Sequence, residues 1–134
     1  MKKALDNTPC PCGSGLAYDQ CCNPYLDSHA MPNTAEALMR SRYTAYTRQD
    51  ETYLLQSWHS STRPTELALT QEASVKWLGL KILRTEAGGV NDDHGLVEFI
   101  ARYKVNGKAH RLHETSRFVK EDGRWYYVEG ELDA

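Results

Sequence analysis

The sequence predicts an α+β fold with a small cysteine-bound knuckle in front of it. Three observations carry this reading. Apolar residues between Thr34 and Trp58 recur with helical spacing. From residue 75 onward the chain reads as four β-like runs rich in Val, Ile, Tyr, Phe and Trp, parted by turn signals. All four cysteines lie between positions 10 and 22. Helices first and strands afterwards leave no helix to make parallel crossovers. The strands should therefore form sequential antiparallel hairpins, with the helices on one face.

The knuckle comes first in the chain. Its segment reads CPCGSGLAYDQCC, a C-x-C pair, eight residues, then an adjacent pair. A disulfide framework would spread cysteines to staple distant segments, and adjacent cysteines pair poorly with each other. Four thiols this close suggest a metal, and four thiolates suit a tetrahedral zinc ion. The expected ligands are Cys10, Cys12, Cys21 and Cys22. They leave no open position on the metal, so the site should be structural. Pro11 fixes φ between the first two ligands, Gly13 and Gly15 allow the chain to turn away, and Ser14 can accept an amide hydrogen bond. A short helical turn over roughly residues 15–21 would bring back the second pair.

Residues 23–34, NPYLDSHAMPNT, are rich in turn formers and read as a linker. Thr34 is a good N-cap, with Glu36 in the first turn, for a helix reaching about Arg48 with Leu38, Tyr43 and Tyr46 inward. Gln49 and Asp50 break it, and Glu51 to Trp58 forms a second helix. Residues 64–73 are expected to form a third, with Pro64 at its start and Leu67 inward. The strands are expected at 75–86, 95–106, 109–120 and 124–130. Gly88-Gly89, Asn106-Gly107 and Asp122-Gly123 mark the turns, Asn106-Gly107 being close to the favoured type I′ signal.

Composition limits function. The chain has 134 residues, 40% hydrophobic and 25% charged, with a net charge of −2. This profile is that of an ordinary globular domain with a small appendage, and nothing in it pulls toward nucleic acid or anionic membrane. No window approaches the roughly 20 apolar residues of a spanning helix. MKKALDNTPCPC has no apolar stretch behind its lysines, so a secretory signal is not expected and the cytoplasm is the expected location.

The motif CPCGSG followed by CC resembles the SEC-C motif, which also forms a zinc-binding tail on the bacterial preprotein translocase ATPase. That resemblance implies Zn as the cofactor. SEC-C segments usually carry lysines before the last cysteine pair. Here Leu16, Ala17, Tyr18, Asp19 and Gln20 stand there without a positive charge, which argues against RNA or phospholipid at the knuckle. Leu16 and Tyr18 are candidates to dock on the main domain.

Further along, LMRSRYTAY and HETSRFVKEDGRWYYVEG resemble the bacterial YchJ-like family, which joins a SEC-C motif to a nuclear-transport-factor-2-like domain. The resemblance implies a curved antiparallel sheet wrapped around N-terminal helices to make a cone. It implies a knuckle over residues 1–26 and the cone domain over 27–134. It implies no particular reaction.

Strand alternation selects the residues that could line such a cone. Phe118 marks the inner face of its strand, and Glu114 and Ser116 share that face. Val97, Phe99, Ala101 and Tyr103 form the inner face of another. A pocket of Arg40, Arg42, Tyr43, Tyr46, Tyr103, Glu114 and Ser116 would suit a small molecule. The alternative is that Glu114 is only the structural ion-pair partner of Arg40 or Arg42. His59 is expected to cap a helix C-terminus. His110 and His113 point to opposite faces and cannot share a metal, while His29 and His94 fall in expected loops. No catalytic constellation is visible. The sequence favours a zinc-bearing adaptor with a protein partner, a homodimer included, over a small-molecule binder or enzyme using the cone. Neither a nucleic acid nor a membrane partner is expected.

Overall fold

The computed structural model describes residues 8–27, 30–67 and 75–132. Helices α1 (Asn23–Asp27), α2 (Ala35–Thr47) and α3 (Glu51–Gln56) precede strands β1 (Val75–Ala87), β2 (His94–Val105), β3 (Lys108–Glu121) and β4 (Arg124–Leu132). The strands form one antiparallel sheet in the order β1-β2-β3-β4. Two of its turns are written in the sequence. Asn106 and Gly107 have φ of 51° and 82°, and Asp122 and Gly123 have 53° and 78°; such paired positive values match the right-handed twist of a hairpin.

The sheet is bent as well as twisted. β1 changes register against β2 at Leu78 and again at Leu83, and β4 changes register against β3 after Arg117. Each extra residue kinks its strand and increases the local twist. Leu78 and Leu83 remain 48% and 41% exposed. The bent sheet curls around α2, which touches β1, β2 and β4.

α2 starts where the sequence places it. Thr34 Oγ1 accepts from Ala37 N at 3.1 Å, satisfying one of the free amides of the first turn. Ala35 N donates to Gly88 O at 2.9 Å, pinning the helix start to the β1–β2 turn. Its buried residues include Leu38, Met39, Arg42 and Tyr43. Leu38, Met39 and Tyr43 pack on Val97, Phe99, Ala101, Phe118 and Trp125 from the sheet.

Three local expectations are corrected. The linker read over residues 23–34 contains helix α1, whose first turn bonds back to Cys22 O from Tyr25 N and Leu26 N. The turn read over residues 15–21 is a 3₁₀ turn limited to Tyr18–Gln20. Residues 64–67 are not helical, and the remainder of the expected third helix lies outside the described residues. Leu67 does face inward, packing beside Tyr53 and Leu54, with its amide bonded to Glu51 at 3.0 Å.

Candidate metal centre and cone cavity

The knuckle is built by backbone bonds that fold residues 8–22 onto themselves. Cys10 N donates to Leu16 O and Tyr18 N to Thr8 O, so Pro9 and Ala17 face each other across a miniature bridge. The 3₁₀ turn then delivers Cys21 and Cys22 opposite Cys10 and Cys12. Ser14 Oγ accepts from Leu16 N at 3.2 Å and lies 3.1 Å from Cys21 Sγ. Gly13 has φ of 78°, and a Cβ there would approach Leu80 O of β1 to 2.9 Å. Glycine is needed at that position both for the turn and for close contact with the sheet.

The four sulfurs all lie within 4.8 Å of one another. Cys12 and Cys21 are 3.6 Å apart and Cys21 and Cys22 3.9 Å. Four sulfurs about 2.3 Å from a tetrahedral metal would stand about 3.8 Å from each other. The donor set therefore fits a metal ion. The sulfurs also share protons unequally. Hydrogen bonds from Cys12 and Cys22 hold the Cys10 thiol below its ordinary value, the same bond from Cys10 raises Cys22, and burial pushes Cys21 up to about 11. A cation at the centre of the cluster would relieve the repulsion that prevents all four from ionising.

The knuckle is not a separate appendage in its packing. Cys10, Cys12, Tyr18 and Cys22 belong to the same buried cluster as Leu38, Tyr43, Phe118 and Trp125. Thr44 Oγ1 of α2 lies 3.7 Å from Cys10 Sγ. Arg40 reaches Cys12 through Nη1, 2.9 Å from its carbonyl and 3.9 Å from its sulfur, while its Nε donates to Glu36 at 3.0 Å. The Arg48 guanidinium sits 3.9 Å over the Tyr18 ring. Tyr18 docks as anticipated, but Leu16 stays 51% exposed.

A second feature lies inside the cone. A cavity of about 340 Å³ is lined by Arg42, Tyr43, Tyr46, Tyr103, Glu114 and Ser116, all anticipated as a pocket, by Phe99 and Ala101 from the strand face expected to line the cone, and by Met39, Trp77, Leu112 and Tyr127, which were not anticipated there. Trp77 could have been found from its alternation with Val75, the same signal that places Tyr103. Arg40 is not in the cavity. It lies two residues from Arg42 on one helix, which turns the two side chains to different faces. The expected ion pair is also absent among the described residues. Glu114 accepts from Ser116 Oγ at 2.8 Å. Arg42 Nη1 instead donates to Leu54 O at 2.8 Å and Ser57 Oγ at 2.6 Å, closing the C-terminal turn of α3. Its guanidinium lies 4.4 Å from the Tyr127 ring centre and 5.0 Å from that of Trp58. Burial lowers the Arg42 pKa and pushes the Tyr43 and Tyr127 phenols up to about 12.

The histidines lie elsewhere. His59 follows α3; its amide donates to Tyr127 O at 2.7 Å and its ring bridges Ser61 and Glu121, each at 2.7 Å. It thus ties the helix end to the sheet. His110 stacks on Tyr103, and His113 meets Glu98 at 2.7 Å on the other face. His94 begins β2, and His29 lies outside the described residues.

An NTF2-like α+β domain bearing a SEC-C cysteine motif is the class that this fold and this cluster define. The profile of the YchJ middle NTF2-like domain matches residues 34–130, and that of the SEC-C motif matches residues 7–24. The chain belongs to the YchJ-like family. It is 58% identical over 123 residues to a UPF0225 protein of Chromobacterium violaceum, covering 90% of each chain. It is 49% identical over 130 residues to one from Xanthomonas campestris, covering 96% of this chain and 98% of that one. Among solved structures, a SEC-C motif containing protein from Rhodopseudomonas palustris superposes with a TM-score of 0.84 at 36% identity, over 95% of this chain and all of that one. An LEH-like epoxide hydrolase from M. tuberculosis has a TM-score of 0.51 at 16% identity over 78% of this chain and 83% of that one, a likeness of fold alone. No described helix is long and apolar enough to cross a membrane.

Proposed function

We propose that the protein is a small-molecule binder whose cone is braced by a structural zinc ion held by Cys10, Cys12, Cys21 and Cys22. The observation that carries the binding half is the cone interior. It is not filled by side chains but leaves a half-open cavity of about 340 Å³, within the range of ligand pockets, with aromatic walls and two charged side chains. This reverses the preference drawn from sequence, where an adaptor role stood first. Zinc is the metal favoured here, since four thiolates at tetrahedral spacing suit a soft or borderline ion and the cysteines form the SEC-C pattern. The zinc braces the cone because its ligands are part of the cone's own core.

An adaptor role has one observation in its favour: Leu16, at the tip of the knuckle, is 51% exposed. A fragment collection titrated into isotopically labelled protein separates the two. Binding in the cone will shift the Trp77 indole and the Tyr103 and Leu112 amides while leaving Leu16 unmoved. If no compound perturbs the cavity lining, the small-molecule reading fails.

A further inference from the structure

The ligand class can be narrowed, on the reading that the cavity is a binding site. Arg42 is only 3% exposed, yet it lines the cavity. Both of its hydrogen bonds use Nη1. Among the described residues, Nε and Nη2 have no acceptor, and neither is one of the sealed, partnerless polar atoms of the interior. They are the donors left over on a side chain that lines the cavity. Nε and Nη2 together form the side of a guanidinium that grips a carboxylate with two parallel bonds. The Tyr127 and Trp58 rings flank the group and fix its position.

A buried cation with unused donors is costly unless something accepts from them. Glu114 does not do so. Its carboxylate takes the Ser116 hydroxyl and lies over Gly130, where a Cβ would fall onto it. It makes no direct ion pair among the described residues, although its charge acts on Arg42 across the cavity that both line. The same cavity is walled by Tyr43, Trp77, Phe99 and Tyr103, with Trp77 and Tyr103 ring centres 5.4 Å apart. The interior thus offers an anion-binding fork, a hydrogen-bond acceptor and flat apolar walls.

We infer that the cavity binds a small aromatic carboxylic acid, its carboxylate on the open side of Arg42 and a hydroxyl or ammonium donor directed to Glu114. A purely cationic ligand would meet the Arg42 charge. A purely anionic one would leave Glu114 with the Ser116 hydroxyl as its one donor among the described residues. A molecule with both groups on an aromatic body satisfies all three features.

Three matched probes test this, read by the Trp77 indole resonance: 3-(4-hydroxyphenyl)propanoate, 3-phenylpropanoate and 4-ethylphenol. The expected order is the hydroxy acid tightest, the plain acid several-fold weaker, and the phenol without a carboxylate at least tenfold weaker. In Arg42→Met the advantage of the acids over 4-ethylphenol should vanish. In Glu114→Gln the advantage of the hydroxy acid over the plain acid should shrink while both acids still bind. If Arg42→Met fails to fold, the order in the parent protein and in Glu114→Gln decides. Binding of 4-ethylphenol as tightly as the acids overturns the inference. So does failure of all three probes, and the fragment titration then tells whether the cavity reading falls with it: other ligands in the cone would spare that reading, and none would remove both.

Discussion

Stripping the metal, or replacing Cys22 by Ser, will lower the thermal midpoint of the whole domain. The sequence alone suggests a local effect, because a knuckle and a cone look like two cores. The packing indicates otherwise. Cys12 is fully buried and Cys22 is 1% exposed, in one cluster with Leu38, Phe118 and Trp125. Without the ion, four close thiols must separate or stay protonated, and Arg40 and Thr44 lose the charge they face. Removing one partner from a buried charged cluster costs about 3–5 kcal/mol, and a loss of that order is expected here. Calorimetry and amide chemical shifts check it. A midpoint that does not move, with shift dispersion kept throughout residues 34–130, would show that the cone stands without its knuckle.

Phe118→Ala and Trp125→Ala should each destabilise the domain by about 3–5 kcal/mol, the usual cost of deleting a buried aromatic ring. Both are 1% exposed. Phe118 meets Tyr127 edge-on at 5.8 Å, and Tyr127 in turn supports Arg42, so the loss reaches the cavity wall. Trp125 has no hydrogen-bond partner for its indole nitrogen among the described residues. It contributes through packing and a Lys120 ammonium 5.6 Å from its ring centre rather than through a hydrogen bond, so Trp125→Phe should cost clearly less than Trp125→Ala. Denaturant midpoints test this. Values that barely move in the alanine variants would mean that the inner face of β3 and β4 is wrongly assigned.

Much of this was legible because it depends on short range. Cysteine spacing names the four members of the thiol cluster, alternation places Phe118, Ser116 and Glu114 on one face, and Asn106-Gly107 marks its hairpin. Other features depend on what meets across the fold. α1 is too short to show a helical period, and its sequence, NPYLD, carries turn formers. Apart from Glu36, one helical turn before Arg40, the partners of Arg40 and Arg42 lie 12 to 28 residues away in sequence, at Leu54, Ser57 and Cys12. A charge count suggests an ion pair with Glu114, but geometry decides which acceptor each guanidinium reaches. The continuity of the core was hidden for a related reason. Gly13 meets Leu80, and Tyr18 meets Arg48, through contacts that no local pattern encodes.

The central claim is that the cysteine cluster holds a zinc ion as part of the fold. Elemental analysis of protein purified from metal-replete cells, combined with thiol titration before and after chelation, tests it most directly. The expected result is close to one zinc per chain, with all four cysteines protected until the metal is withdrawn. A zinc content near zero, with four thiols reacting freely in the folded protein, would contradict it.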